Sequence, residues 1–578
     1  MTNKQKPLIW NNFDTGIAEH PSKGHGLFRN ADIDSFPGAV KPNKKPATYF
    51  HKINTVTFTA VAATDVCTAS DSIEANASNF TGAAVYFTTT DTLPTGLAVD
   101  TLYYISRVGT TTDEFKVCTS YKNSVGSAAD TFINITDTGT GVHTMTQVAI
   151  GDIKHIVQDM GTENEYMLCS NGRVWFAPTS SRAYLLANTA LDTPDTGVSS
   201  AKGNGLVISR FSSTSHTYLF VFRSGKIDVI NIYNDLAIEA LGWVNSWEDL
   251  NSNSTSSNSH EAIKGQDDII YFCDDRYIGS IIENVGSTFD PDTGATYTYN
   301  NQALDLPNQE VAYCLEELGT NLLIGGRFNK IYPWDRISDS FDNPIFVPEY
   351  IIYKLKNLGS TIYILAGKSG TIYKTQGSYV LEHVKLPEHL TKNSSTILKN
   401  VVEWGGIAIN NGDILVGAYF PITEENSGIW RIKENGRITI ENIPSTEAGN
   451  VYSIYSSDGI FFIFGYEGGA DNFSDLVSYT NDETVVQSPL YQIANNTEKG
   501  AFSKAEIVLD RIPTGGSATL GYRNNISGSF TDIGTVNDDS TNQIFRIEDI
   551  GLTDIDSIQL QLEISSGKFT ILEVRLFP

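Results

Sequence analysis

Residues 164–176 read NEYMLCSNGRVWF, an apolar run, a glycine turn and a second apolar run, and the same phrase recurs down the chain. It returns as TYLFVFRSGKIDV at 217–229, DDIIYFCDDRYIG at 267–279, NLLIGGRFNKIYPW at 321–334, TIYILAGKSGTIYK at 361–374, GDILVGAYF at 412–420 and GIFFIFGYE at 459–467. Anchored on Leu168, Phe220, Phe272, Ile324, Ile364, Val416 and Ile463, successive copies lie 52, 52, 52, 40, 52 and 47 residues apart. A propeller blade occupies about 40–50 residues, so the period falls in that range.

Every copy has the same grammar. A turn carrying glycine (Gly161, Gly265, Gly319, Gly359, Gly412, Gly459) leads into a run short enough to be a buried strand. A second turn, with glycine at Gly172, Gly225, Gly370 and Gly428, precedes a strand that opens on a branched residue and an aromatic: Val174-Trp175, Ile331-Tyr332, Ile372-Tyr373, Ile429-Trp430. Glycine at a hairpin tip supplies positive φ without steric cost, so the two strands fold back into an antiparallel sheet. Such a sheet has two apolar faces and cannot bury them alone. Stacking copies around a ring buries both and leaves only short, protected edges; a linear β-solenoid uses much shorter repeats. The expected fold is all-β, a seven-bladed β-propeller whose first and last copies can share strands.

The 578 residues leave room for three or four domains. No long 3.6-residue period interrupts the all-β pattern. Net charge is −27, from 40 basic and 67 acidic side chains. Such a surface repels phosphate, which disfavours binding to DNA, RNA or an anionic bilayer; it serves solubility, or forms a non-stick wall past which nucleic acid slides. Of five cysteines, Cys169, Cys273 and Cys314 fall in or near repeat strands and read as buried thiols. Cys67 and Cys118 share one inserted module, as thiols or as a pair. The N-terminus has no apolar leader and no stretch has the length of a membrane span, so the chain is expected to be made in a cytoplasm without classical export.

Outside the repeats the character changes. Residues 1–48, rich in Pro, Gly, Asn and Lys, read as an extended arm that forms no core. Residues 54–147 are rich in Thr, Ala, Ser and Asp and read as a small inserted β-sandwich. The insert interrupts the first blade, with a strand at 47–53 before it and another from Val148 after it. The propeller occupies 148–485. Residues 488–578 alternate apolar and polar in short runs, among them Ala505–Leu509, Ile558–Ile564 and Ile571–Leu576, the mark of a separate C-terminal sandwich with one buried face per strand.

Three of these segments carry a resemblance. Gly26–Gly38, GLFRNADIDSFPG, resembles the opening of tailed-phage structural proteins, where an arm of the type NxDI…PG precedes a propeller. Its candidate assembly residues are Phe28, Asn30, Asp32, Ile33, Asp34 and Pro37. The insert resembles a β-module recurrent in phage tail, fibre and capsid-decoration proteins, on Leu93-Pro94-Thr95-Gly96-Leu97, Tyr103-Tyr104-Ile105, Phe115-Lys116-Val117 and Gly139-Thr140-Gly141. The C-terminal region is similar to the jelly-roll-like sandwich that follows the propeller in such proteins. The resemblance implies a virion tail component, a nozzle, hub or fibre-adaptor, that forms homo-oligomers, binds other tail proteins and has its acidic residues gathered toward one loop face or a lumen. On that reading the arm closes the ring or docks on a neighbour, and residues 1–45 are needed for assembly but not for folding. The alternative is a receptor-binding or polysaccharide-depolymerising protein at the tail tip.

No set of residues forms a recognisable reaction centre. Sialidase-type propellers carry Asp-boxes, and Ser456-Ser457-Asp458-Gly459 lacks the tryptophan of that motif. Arg173, Arg210, Arg223, Arg276, Arg327 and Arg431 lie in or beside turns, with nothing to converge them. Adjacent carboxylates (Asp267-Asp268, Asp274-Asp275, Glu316-Glu317, Glu424-Glu425) point to opposite faces when in a strand and cannot flank one glycosidic bond. His383 and His389 have no partner at zinc spacing. Asp290-Pro291-Asp292-Thr293-Gly294 has the acidic start of a calcium loop without its later ligands, and reads as a solvated turn. No catalytic residue, metal or cofactor is assigned. Trp243 and Trp247, four apart, are the candidate glycan contact, against ordinary packing.

Overall fold

In a computed structural model the described residues are 7–11, 13, 17–18, 25–29, 31–32, 39, 41–42, 47–48, 53–73, 80–120, 123–124, 132–178, 184–186, 203–210, 216–223, 225–232, 243–251, 260–284, 297–387, 390, 401–421, 426–441, 450–457, 461–466, 469–473, 484–493, 499–510, 512, 514–525, 528–537, 544–565 and 569–578. They are nearly all β, in sheets whose strands pair antiparallel except where Leu27–Arg29 runs parallel to Ile438–Ile440.

All seven anchors fall on the second strand of a sheet: Glu165–Cys169, Thr217–Arg223, Ile270–Asp274, Asn321–Gly326, Thr361–Ala366, Asp413–Tyr419 and Phe461–Tyr466. In the first five sheets, four consecutive strands pair in chain order. Glu165–Cys169 and Thr217–Arg223 are buried along their whole length, which is why these runs read as continuously apolar and do not alternate. The tip glycines adopt the positive φ their turns need, 81° at Gly172, 77° at Gly225 and 82° at Gly370.

The first strands are Ile153–Gln158, Gly203–Arg210, Ala262–Lys264, Ala312–Leu318, Ile352–Leu358, Glu403–Asn410 and Ser453–Ser457. Each packs beside the first strand of the next sheet, and the last returns to the first, so the sheets form a propeller-like ring. The core is divided into wedges between neighbouring sheets: Phe222 meets Phe272 with ring centroids 5.1 Å apart, and Ile324 lies in one cluster with Tyr271 of the sheet before it. Where sheets approach most closely the side chain is absent. A Cβ on Gly205 would stand 1.8 Å from the His260 carbonyl oxygen, and one on Gly405 would stand 1.7 Å from that of Val451. Gly405→Ala should therefore force the sixth and seventh sheets apart and cost about 2 kcal/mol, seen as a lowered thermal midpoint; an unchanged midpoint would refute the close approach.

The seventh sheet has three consecutive strands, and its fourth comes from the N-terminus: Ala47 pairs with Asn472 and Thr48 with Asp471. The insert therefore lies between the closing strand of the last sheet and the opening strand of the first, and does not interrupt the first blade. The insert is also no sandwich. Its strands, in the order 114–118, 66–69, 56–61, 143–147, 84–89 and 103–106, form a closed barrel because the last pairs back to the first. Closure removes the open edges a sandwich would leave. Strands Ala84–Thr89 and Tyr103–Ser106 dock it on the first sheet, with Ala84, Tyr86 and Tyr104 in one cluster with Ile150 and Leu168.

The arm is extended, yet it forms core. Leu8–Trp10 pairs with Ile571–Phe577 at the edge of a sheet that continues through Gly500–Leu509 to Ile544–Ile555. Leu27–Arg29 runs between Ile438–Ile440 of the sixth sheet and Thr484–Gln487, and so joins that sheet to Ser557–Ser565, Ser517–Arg523 and Thr531–Asn537. The C-terminal region is thus not separate and already begins at Thr484. Trp10, Phe13, Ile17, Leu27 and Phe28 are at most 4 % exposed and belong to the same cluster as Trp430, Ile507, Leu562 and Val574.

Candidate functional site

The arm's docking site is built from aromatic rings. Trp10 and Phe13 lie 5.1 Å apart between centroids, and His25 and Phe28 lie 4.8 Å apart, with Phe13 6.1 Å from His25. Trp10 Nε1 donates to His25 Nε2 at 2.8 Å, which requires a lone pair on that nitrogen. Burial pushes the His25 imidazole from 6.5 down to about 4, so the ring is neutral near pH 7. Beside it, Arg29 donates to Asn426 Oδ1. Of the candidate arm residues, Phe28 is fully buried. Asp32 is on a two-residue strand opposite Lys41. Asn30, Ile33, Asp34 and Pro37 lie outside the described residues. Sequence reading passed over Trp10, Phe13 and His25; the available signal was two large aromatics in a stretch otherwise rich in Asn and Lys.

Trp243 and Trp247 share the outer strand Trp243–Asp249 of the second sheet. Trp247 is half-buried, its ring 4.4 Å from Tyr297 and 5.7 Å from Phe220, and the Tyr297 hydroxyl donates to Glu248 at 2.9 Å. Its ring is thereby tied into the packing between the second and third sheets.

The polar groups pair locally, mostly within one sheet. Arg223 is buried against Asp228, Arg431 lies 3.1 Å from Asp413 and also pairs with Glu441, and Arg276 lies 3.0 Å from Asp305. Arg173 donates to the Ala149 carbonyl at 2.7 Å and Arg327 to that of Gln309 at 3.4 Å. Glu316 and Glu317 diverge as strand neighbours should, toward Lys356 of the fifth sheet at 3.4 Å and toward Arg336 of the fourth. Burial raises the Glu316 carboxyl. Asp267 accepts from the Tyr271 hydroxyl at 2.8 Å. Along the ring's inner strands Lys154, Lys264, Lys354 and Lys356 accompany Glu316, Glu317 and Glu403, so both signs are present there. Lys354 pairs with Glu261, joining the fifth sheet to the start of the third.

A repeated staple escaped the sequence reading. Glu310 and Glu349, each just before a sheet's first strand, accept from the hydroxyl of Tyr332 at 2.9 Å and of Tyr373 at 2.8 Å, and from backbone amides of the adjoining turns. His383 packs edge-on against Tyr363, 5.1 Å between centroids. Cys67 and Cys118 do not pair; all five cysteines are free and buried, and burial pushes these two thiols up to about 12. Asp290–Gly294, Glu424-Glu425 and His389 lie outside the described residues.

No protein-family model matches the chain, and no curated protein matches it. Among solved structures it is similar to the computationally designed Ika8 protein at 12 % identity, over 68 % of this chain and 97 % of that one, with a TM-score of 0.35. It is also similar to the β-propeller domain of Myceliophteria thermophila Cps50 (Swd1), at 10 % identity over 56 % and 97 % with a TM-score of 0.39, and to YCF48 bound to D1 peptide, at 10 % over 57 % and 94 % with a TM-score of 0.38. These likenesses concern general fold and say nothing of activity.

Proposed function

We propose that the chain is a structural component of a phage virion tail, a nozzle, hub or fibre-adaptor, that acts by assembly and lines or caps the DNA exit path. In this reading six four-stranded sheets of the ring, with the four strands Glu403–Asn410 to Ile438–Ile440 of the sheet that continues into the C-terminal region, are the blades of one propeller, residues 54–147 are a module carried on its first blade, and the C-terminal sheets form a jelly-roll-like sandwich. The observation that supports it most is the arm. The phage-like segment begins in the strand that stitches the sixth sheet to the C-terminal sheets, and strands on either side of it close the last sheet and edge the C-terminal one. A chain laced in this way transmits load between its parts, which suits a tail component. The net charge of −27 suits a wall that DNA slips past, since a basic wall would release counterions from the DNA and hold it. Partners are then further copies of the chain and other tail proteins.

Imaging purified particles at high resolution tests this: the chain should occupy a symmetric ring or cap in the tail, with its acidic residues facing the lumen. Particles that lack the chain would overturn the proposal. Release of reducing ends from host surface glycans by the purified chain would instead favour a tail-tip depolymerase.

A further inference from the structure

The barrel carries a cleft of about 530 Å³ on strands Val56–Val61 and Val66–Ala69. In the closed strand order these two stand opposite Ala84–Thr89 and Tyr103–Ser106, the pair docked on the first sheet, so the cleft faces away from the ring. Its floor is a ladder of hydroxyls. Thr59 lies opposite Thr68 across the ladder, and Thr57 Oγ1 meets Ser70 Oγ at 2.6 Å. Alternation sends Phe58, Ala60 and Ala69 inward to the barrel core and leaves the hydroxyls outside.

One wall is the loop that holds Gly139-Thr140-Gly141, the motif left without a role by the fold. The wall is fixed from behind. Asp137 accepts from the Thr95 hydroxyl and from Thr95 N and Gly139 N, the last two at 2.9 Å, which together hold its carboxyl below the ordinary range. Thr140 N donates to the Thr92 carbonyl at 2.8 Å, and Thr140 Oγ1 donates to Asp91 at 2.7 Å. Gly139 and Gly141 have φ of 66° and 88°, and a Cβ on Gly139 would stand 2.6 Å from the Thr92 carbonyl oxygen. His143, buried at the base, meets Thr89 Oγ1 at 3.0 Å and the Thr138 carbonyl at 3.1 Å, so the loop's descent into the barrel is pinned as well.

We infer that this cleft is a binding site for a neutral oligosaccharide. It is preformed, its volume lies within the roughly 300–1,000 Å³ of small-molecule sites, and its lining sets the hydroxyls of Thr57, Thr59, Thr68, Ser70 and Thr138 among glycine backbone and apolar groups such as Val142, with no lysine or arginine. Uncharged hydroxyls can donate to and accept from the hydroxyls of a sugar. The carboxylates nearby, Asp91 and Asp137, belong to the wall and disfavour an anionic glycan. Glycine at the wall lets backbone groups approach the ligand closely.

Saturation-transfer NMR on the full chain, with short gluco-, galacto- and manno-oligosaccharides as probes and hyaluronan oligosaccharides as the anionic comparison, tests the inference. At least one neutral series should receive saturation, and hyaluronan should not. Thr59→Val with Thr68→Val keeps the β-branched shape on exposed strand faces while removing two floor hydroxyls, and should weaken binding about tenfold with the thermal midpoint unchanged. No transfer to any neutral probe, equal binding by the double variant, or preference for hyaluronan would each overturn it. The readout is on the isolated chain, so its failure leaves the virion proposal standing, and absence from particles leaves the cleft standing.

Discussion

Removal of residues 1–45 should leave no soluble, folded protein. The deletion takes away Trp10, Phe13, Ile17, Leu27 and Phe28, all of them core. Emptying one large core position costs about 3–5 kcal/mol, and a domain is stable by only about 5–15 kcal/mol, so a few such losses exceed the total. The deletion also splits the sheet that joins the ring to the C-terminal strands, because Leu27–Arg29 is what lies between Ile438–Ile440 and Thr484–Gln487. Both strands would become open edges, which invite aggregation. Expression followed by sedimentation should find the truncated chain in the pellet. Phe28→Ala alone should remain soluble but lose about 3–5 kcal/mol in urea unfolding. A soluble truncated chain with the parent's thermal midpoint would mean that the arm is dispensable for folding, as the sequence alone suggests.

That contrast marks where sequence pattern stops being informative. The second strands could be located because Tyr166–Cys169 and Tyr218–Phe222 are buried on both faces, and burial on both faces writes an uninterrupted apolar run. The C-terminal strands Ile558–Ile564 and Ile571–Leu576 could be located because burial on one face writes an alternation. The arm's strands are two or three residues long, too short to carry either period, and Leu8–Trp10, Leu27–Arg29 and Ala47–Thr48 pair with strands hundreds of positions away. In the insert, alternation at Val56–Val61 reveals which face is buried but not which edges pair, so a barrel and a sandwich read alike. The cleft was invisible for a related reason: Thr57, Thr59 and Thr68 are the ordinary outward half of two strands, and only closure against the Gly139–Gly141 loop makes them a floor. Trp247, by contrast, was conspicuous as a residue type, and the structure places its ring against Tyr297 and Phe220.

Acidification should loosen the arm before it unfolds the ring, and His25 sets the range. In the folded chain burial holds its pKa near 4, against 6.5 for the ordinary imidazole. The unfolded chain therefore takes up this proton first as pH falls. The stability contributed by the neutral ring is complete above about pH 6.5, declines below it, and is lost as pH passes through about 4. At 1.36 kcal/mol per pH unit between those values the loss attributable to His25 approaches about 3 kcal/mol. Protonation also fills the Nε2 lone pair that accepts from Trp10, so the hydrogen bond is lost with the neutral ring. The faces around the imidazole are the rings of Trp10, Phe13 and Phe28. The charged groups on the packed strands are engaged elsewhere: Arg29 with Asn426, Arg575 with Glu573 and Glu506, and Glu441 with Arg431. His25→Gln keeps an acceptor for Trp10 but cannot titrate in this range. Urea unfolding between pH 7.5 and pH 4 should show the parent losing about 3 kcal/mol more than the variant, because the carboxylates and the buried His260 titrate alike in both. Parallel stability curves for the two chains would show that the imidazole is not confined by the arm's aromatic rings, and would remove the hydrogen bond from Trp10 as a reason for the docked arm.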